Sequence, residues 1–209
     1  NADDPVRFAV SKLAHIHCCS AQEYANNLIN LSEDSFRVFW TGNPAYVNIA
    51  ETEKMDLRRV SSLIDVDLTS GRYLMIIQHP LSSEVNDAYN QMKVTLEAVE
   101  EFCDNYEYQA VIIPPNSDPG SEKIRTVITE FNDSSNIHSL ETLPRVLFIN
   151  LARHCHALVG NSSMGILEAP FYRLPVINIG NRQKGRLNAG NVQFISHDTD
   201  EIIRHFAKA

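Results

Sequence analysis

The first forty residues alternate between helix-like and strand-like patterns of apolar positions. Within residues 3–14, Val6, Ala9, Val10 and Leu13 recur at helical spacing and predict an amphipathic helix. The run "HIHCC" predicts a short strand, and "SAQEYANNLINL" predicts a second helix with a serine at its N-cap. The run "RVFWTGNP" then predicts a strand that ends in a turn.

From about Val38 to the end of the chain, apolar runs alternate with longer amphipathic stretches. The runs "YLMII", "QAVII", "HALVG" and "PVINI" predict strands, and "YLMII" is typical of a strand buried on both faces. The stretches between them predict helices, the longest from about Glu84 to Tyr106, and "SMGILEAPFYR" is predicted as a single helix. This alternation predicts an α/β fold with a parallel sheet and helices on both faces.

Polar and turn-forming residues stand where the predicted strands end. Ligands of open parallel sheets bind beyond the carboxyl ends of the strands, so we expect these residues to share one ligand-binding rim. They are Gly42-Asn43-Pro44, His79-Pro80, Asn116, Gly160-Asn161-Ser162-Ser163 and Gly180-Asn181-Arg182.

The segment "GNSSMGILEAPFYRLPVINIGNRQKGR" holds half of the chain's eight glycines. A glycine turn that leads from a strand into a helix exposes main-chain N–H groups, which favours an anion such as phosphate. Ser162 and Ser163 add hydroxyl donors, and Arg182 adds a fork of donors suited to phosphate. The alternative is that the serines only cap the following helix. The nucleophile elbow G-x-S-x-G does not fit, because Gly165 comes one residue too late.

Four further residues allow both a functional and a structural interpretation. Glu168 could accept both hydroxyls of a ribose, or it could be an exposed helical carboxylate. His79 ends an apolar strand, where it could change its protonation state near neutral pH or serve only the fold. Asp3 and Arg7 could belong to a site, or they could stabilise the start of the first helix.

Composition narrows the class of protein. The 209 residues carry a formal net charge of −8, which argues against a nucleic-acid-binding or acidic-membrane-binding surface. No apolar run approaches the roughly 20 residues of a membrane span. The four cysteines show no metal-ligand spacing, so we expect buried free thiols, no metal and no cofactor, in a reducing cytoplasm.

The motifs "NADDPVRFAVSKLAHIH", "IIQHP", "PPNSDPGS" and the glycine-rich segment closely resemble the UDP-N-acetylglucosamine 2-epimerases. The resemblance covers nearly the whole chain and is strongest with the hydrolysing branch that makes N-acetylmannosamine for sialic acid synthesis. It implies the glycosyltransferase-B arrangement of two Rossmann-like domains. Residues 1–37 would be the end of the first domain, and residues 38–209 the second, nucleotide-binding domain.

The resemblance also implies a reaction and a set of site residues. UDP would leave C1 as the C2 proton is removed, and water would add to the 2-acetamidoglucal intermediate. His79, Asp3 and Arg7 match catalytic positions of the family. Asn116, Ser162, Ser163, Glu168 and Arg182 match contacts to the UDP-sugar. Phe8 and Pro5 depart from the usual motif after the carboxylates, where the family has a histidine and a small polar residue.

Two other classes of function remain open at this point. A glycosyltransferase of the same architecture would also bind a nucleotide sugar, and a non-catalytic module would bind it without turnover. The sugar could be a diacetamido-trideoxyhexose and the base other than uracil. The sequence leaves open whether the protein is a homo-oligomer. The chain opens on Asn1 without an initiator methionine, and we expect it to be a fragment that is inactive alone.

Overall fold

The computed structural model describes residues 4–206, which belong to two units, Asn1–Glu51 and Thr52–Ala209. The sequence placed the division between residues 37 and 38. The strand that begins at Val38 instead pairs with a strand of the first unit, and this pairing keeps residues 38–51 in that unit. Within the described range, no helix is long and apolar enough to cross a membrane.

The first unit, from residue 4 onward, contains three helices around a two-stranded parallel sheet. Its elements are α1 (Asp4–Leu13), β1 (His17–Cys19), α2 (Gln22–Asn30), a 3-10 turn (Ser35–Arg37), β2 (Val38–Trp40) and α3 (Ala45–Glu51). The predicted helices and strands are confirmed, but the serine cap of α2 is wrong, because Ala21 is the N-cap residue. Cys19 is buried, whereas Cys18 points to the opposite face of β1 and is exposed, contrary to the expectation of two buried thiols.

A buried carboxylate holds the first unit together. Glu33 pairs with Lys12 of α1 at 2.7 Å and with His17 of β1 at 3.3 Å. The guanidinium of Arg37, the residue directly before β2, also donates to Glu33. The hydrogen bond from Lys12 and the nearby positive charges lower the pKa of the Glu33 carboxyl. The carboxylate of Glu33 therefore connects α1, β1 and the segment that leads into β2.

The second unit is a doubly wound α/β domain. Its strands are β3 (Tyr73–Ile77), β4 (Gln109–Ile112), β5 (Ile137–Ser139), β6 (Ala157–Gly160), β7 (Val176–Ile179) and β8 (Val192–Ile195). Its helices are α4 (Leu57–Ile64), α5 (Ala88–Tyr106), α6 (Ser121–Glu130), α7 (Arg145–His154), α8 (Met164–Leu167), α9 (Ala169–Tyr172) and α10 (Thr199–Phe206), with a 3-10 turn at Ser82–Glu84. All these strands are parallel in the order β5-β4-β3-β6-β7-β8. The predicted parallel α/β sheet is confirmed.

The strand order places a topological switch point in the middle of the sheet. The chain runs outward from β3 through β4 to β5, then returns to β6 on the other side of β3 and continues outward to β8. Successive connections therefore leave β3 and β6 in opposite directions and open a crevice at their carboxyl ends. The sequence predicted that Gly42-Asn43-Pro44 shares the rim of this sheet. This prediction is wrong, because the preceding strand, β2, belongs to the other sheet.

Side chains of β3 alternate between two apolar cores. Leu74 and Ile76 pack toward α5, α6 and α10, whereas Tyr73, Met75 and Ile77 pack toward α4 and α7. Every residue of β3 is buried, as the apolar run predicted. The sheet is thus a rigid layer between two sets of helices, and it fixes the positions of the loops at its edge.

Four elements differ from the sequence-based prediction. α3, α4 and β8 were not predicted; α3 and α4 are short helices of seven and eight residues, and β8 is an edge strand with two exposed residues. The predicted single helix after Ser163 is divided at Glu168 into α8 and α9. Pro170 explains the break, because it has no N–H to donate to the carbonyl four residues earlier.

Candidate functional site

The candidate site lies at the carboxyl ends of β3 and β6. These strands are neighbours, with Ile77 opposite Gly160. Asn161 follows β6 directly, and His79 lies two residues beyond the end of β3. This is the switch point of the sheet, where open α/β folds bind their ligands.

Gly160 brings the two strand ends into close contact. Its φ is +120°, and a Cβ atom at this position would lie 2.2 Å from the carbonyl oxygen of Ile77. The same carbonyl accepts a hydrogen bond from the main-chain N–H of Asn161 at 3.0 Å. Only glycine allows this approach, so Gly160 determines where Asn161 begins the following loop.

Asn161 connects three segments of the site. Its side-chain oxygen accepts from the main-chain N–H of His79 at 2.8 Å, and its side-chain nitrogen donates to the His79 carbonyl at 2.9 Å. Its own carbonyl accepts from Arg182 at 3.1 Å and from Gln183 at 3.0 Å. Only 4% of Asn161 is exposed, so these bonds form away from solvent.

The imidazole of His79 is held in one orientation. Its Nδ1 accepts a hydrogen bond from the main-chain N–H of Asn116 at 3.3 Å. Burial lowers the pKa of His79 to about 4, and the charge of Arg182 contributes to the lowering, while Asp118 and the bond from Asn116 oppose the shift. The ring is therefore neutral at pH 7 and carries its proton on Nε2.

Asn116 reaches the site through its main chain. Its side chain forms a turn with Asp118, donating to the carboxylate at 2.6 Å and accepting from the Asp118 N–H at 3.3 Å. The residue is exposed. The main chain of Asn116 orients His79, and a contact of its side chain with a sugar stays a prediction.

The two serines differ in their surroundings. The hydroxyl oxygen of Ser162 accepts a hydrogen bond from the N–H of Met164 at 3.3 Å, which is the capping role given above as the alternative. Ser163 makes no side-chain capping bond. α8 has only four residues, so its dipole is small and the helix contributes less to anion binding than the sequence suggested. The hydroxyl groups themselves remain able to donate to phosphate.

Glu168 lies in the break between α8 and α9, where it pairs with Arg145. The guanidinium donates to its carboxylate at 2.9 Å and also lies over the ring of Phe148, 5.7 Å from its centroid. The side chain of Glu168 is 19% exposed, which contradicts the interpretation as an exposed helical carboxylate. Arg145 begins α7 and was not identified from the sequence, because its partner is 23 positions away.

A second residue missed by the sequence reasoning is Gln183. It follows Arg182 in the loop after β7, is 2% exposed, and accepts from Arg186 at 2.7 Å while donating to the Asn161 carbonyl. Asn161 was included in the predicted rim but was given no role. Its position directly after Gly160 was the available signal, since an asparagine there can bridge to the neighbouring strand end.

The structure thus brings together some of the predicted residues. His79, Asn116 and Arg182 are linked around Asn161, and Ser162 and Ser163 follow it along the chain. Arg7 lies in α1 of the first unit, and Asp3 lies outside the described residues. Among residues 4–206, no group of three or more His, Cys, Asp or Glu side chains could hold a metal ion.

Comparison of the sequence with known proteins finds a matching family and similar relatives. Residues 1–209 match the family model described as UDP-N-acetylglucosamine 2-epimerase. The chain is 30% identical over 209 residues to the UDP-N,N'-diacetylbacillosamine 2-epimerase (hydrolyzing) of Legionella pneumophila, covering 99% of this chain and 54% of that protein. It is 28% identical over 208 residues to the GDP/UDP-N,N'-diacetylbacillosamine 2-epimerase (hydrolyzing) of Campylobacter jejuni, covering 99% and 53%.

A crystal structure of UDP-GlcNAc 2-epimerase from Neisseria meningitidis bound to UDP-GlcNAc matches with a TM-score of 0.75 and 21% identity, over 95% of this chain and 54% of that one. This likeness shows that the fold is shared with the glycosyltransferase-B type structures of that group. The chain spans about half the length of the curated relatives it matches.

Proposed function

The chain belongs to the UDP-N-acetylglucosamine 2-epimerase family, and we propose that it carries the nucleotide-binding half of a hydrolysing nucleotide-sugar 2-epimerase. The substrate would be UDP-N-acetylglucosamine, and the products N-acetylmannosamine and UDP. The observation that carries the proposal is the meeting of His79 and Arg182 around Asn161 at the switch point. This is where a nucleotide diphosphate is expected in such a sheet.

The diphosphate would bind between the loop after β6 and the loop after β7. Arg182 supplies a permanent positive charge, and Ser162 and Ser163 supply hydroxyl donors. Glu168, held by Arg145, would accept hydrogen bonds from the two ribose hydroxyls. These roles match the chemistry of a UDP ligand, which has two charged phosphates next to a diol.

His79 suits a hydrogen-bond donor better than a base. Its Nδ1 already accepts from Asn116 and its pKa is lowered to about 4, so it has little tendency to take a proton at pH 7. Its Nε2–H can donate to a diphosphate oxygen while the C1–O bond breaks and both bonding electrons leave with UDP. A neutral imidazole that stabilises developing negative charge is a known catalytic arrangement.

The C2 proton must then go to another group. Asp3, which the resemblance matches to a catalytic carboxylate of the family, would accept this proton. It lies outside the described residues. Removal of the C2 proton and departure of UDP leave the 2-acetamidoglucal. Water would add a hydroxyl at C1 and a proton at C2 on the opposite face, which gives N-acetylmannosamine.

A second substrate is favoured by the two curated relatives, which are both named for UDP-N,N'-diacetylbacillosamine or its GDP form. This sugar also carries an acetamido group at C2, so the same elimination applies. The two substrates differ at C4 and C6, and a turnover assay with each distinguishes them. The assay needs a form of the protein that extends over the full length of its relatives.

Titration calorimetry of the 209-residue chain tests the nucleotide-binding half directly. We expect the affinity for UDP to exceed that for uridine by a factor of about 10 or more, because each charged hydrogen bond to the diphosphate contributes about 1.5–3 kcal/mol. Equal affinities would contradict the diphosphate role of Ser162, Ser163 and Arg182. The variant Arg182→Gln is expected to lower the affinity for UDP and leave the affinity for uridine unchanged.

A further inference from the structure

Asn161 contacts the histidine and the arginine of the candidate site through different groups. Its side chain bonds to the main chain of His79, and its main-chain carbonyl bonds to the side chain of Arg182. We propose that Asn161 is a positioning residue that sets the place of both groups. Its effect on ligand binding rests on the function proposed above, whereas its effect on the His79 imidazole does not.

The first step concerns the main chain of His79. β3 ends at Ile77, so His79 lies beyond the sheet and its N–H and C=O have no strand partner in the β3–β6 ladder. The amide of Asn161 satisfies both, as donor and acceptor at once. Among side chains, only asparagine and glutamine have a donor and an acceptor in one planar amide group. The side chain thus extends the pairing of the two strands by two residues.

The second step concerns the opposite side of Asn161. Its carbonyl accepts from both Arg182 and Gln183, which uses both lone pairs of the oxygen. Gln183 is itself buried and accepts from Arg186. The loop after β7 is therefore attached to the main chain of Asn161, and a displacement of this residue moves the arginine as well.

The third step connects position with chemistry. The hydrogen bond from the Asn116 N–H to Nδ1 keeps the proton of His79 on Nε2. This bond forms only while the two nitrogen atoms stay close to their present separation of 3.3 Å. Loss of the amide clamp frees the main chain of His79 and weakens this bond. A misplacement of about 1 Å in a catalytic group can cost roughly 100-fold in rate.

An ordinary buried asparagine would stabilise the fold without orienting the site, and Asn150 provides that comparison. It is fully buried and makes four side-chain hydrogen bonds, none of them to the residues of the site. Its partners are Met55, Glu53, Val146 and Arg153. Asn150→Ala therefore removes at least as many buried bonds as Asn161→Ala.

The experiment compares these variants of the 209-residue chain by imidazole nitrogen NMR, with the His79 signals assigned from His79→Gln. We expect the Nε2–H tautomer in the wild type and in Asn150→Ala, and a mixture of both tautomers in Asn161→Ala. We also expect the preference for UDP over uridine to fall about 10-fold in Asn161→Ala and to stay unchanged in Asn150→Ala, in line with the loss of one charged hydrogen bond.

A folded Asn161→Ala variant with an unchanged His79 tautomer and an unchanged UDP preference would overturn the proposal. If that variant does not fold, Asn161→Asp replaces it, because a carboxylate keeps the acceptor for the His79 N–H and loses the donor for its carbonyl. The His79 tautomer and the preference for UDP over uridine are then measured in Asn161→Asp, and no change in either would overturn the proposal. If the wild type binds neither ligand, the proposed function fails, while the tautomer comparison still tests the positioning role.

Discussion

Gly160 lies so close to Ile77 that a side chain at this position would collide with the main chain of the neighbouring strand. A Cβ atom there would stand 2.2 Å from the Ile77 oxygen, and φ is +120°. We expect Gly160→Ala to lower the free energy of unfolding by about 3 kcal/mol or more, because strain and a main-chain clash combine. Urea unfolding followed by far-ultraviolet circular dichroism measures this loss.

Gly190→Ala is the matched control. Its φ is +83°, and apart from its two chain neighbours no described residue has an atom within 4 Å of the added Cβ, so only the left-handed conformation is unfavourable. This costs about 1–2 kcal/mol. Equal losses in the two variants would mean that the contact with Ile77 relaxes without cost.

A pH dependence of stability follows from the burial of His79. Its pKa is lowered to about 4 in the folded protein from 6.5, so the unfolded chain takes up the proton first as the pH falls. The stabilisation is complete above pH 6.5 and is lost between pH 6.5 and 4. We expect wild type to lose about 1 to 3 kcal/mol more than His79→Gln across this window, after allowance for partial solvent screening.

Denaturant titrations at several pH values test this difference. His15→Gln serves as the control, because His15 is exposed and belongs to the first unit, and it should keep the wild-type slope. A His79→Gln variant with the same pH dependence as wild type would show that the imidazole is not buried in its neutral form.

Recognition of the ribose can be tested at Glu168. We expect wild type to bind UDP about 10-fold more tightly than 2'-deoxyuridine diphosphate, since one hydrogen bond to a charged group is lost. Glu168→Gln should remove most of this preference, and Arg145→Gln should reduce it less, because Arg145 only orients the carboxylate. Calorimetry gives both affinities, with Glu201→Gln as a carboxylate control. A full preference in Glu168→Gln would exclude the ribose contact.

The 209-residue chain alone should be catalytically silent. The elimination needs a base on one side of the sugar and diphosphate stabilisation on the other, and this chain spans about half the length of its relatives. We expect no release of UDP from UDP-N-acetylglucosamine, and release by a form as long as those relatives. Sustained turnover by the chain itself would place every essential group within these residues.

The sequence was informative where a pattern had a single physical meaning. The apolar run of β3 predicted a strand buried on both faces, and the turn residues after β3, β6 and β7 predicted the rim that the structure assembles. It was uninformative where the outcome depends on a distant partner. The clamp between Asn161 and His79 joins residues 82 positions apart, and no local periodicity reports it. The apolar spacing around Glu168 is helical, but Pro170 interrupts the helix there because it lacks an N–H for the preceding turn.

The first unit offers its own optical probe. The chain has one tryptophan, Trp40, which lies at the end of β2 and is 63% exposed. Because Trp40 belongs to the first unit, the change in its emission on unfolding reports that unit, and the change is small since most of the side chain already lies in solvent. The circular dichroism signal comes mostly from the larger number of helices in the second unit. Two signals from one unlabelled sample can thus show whether the units melt together or in sequence.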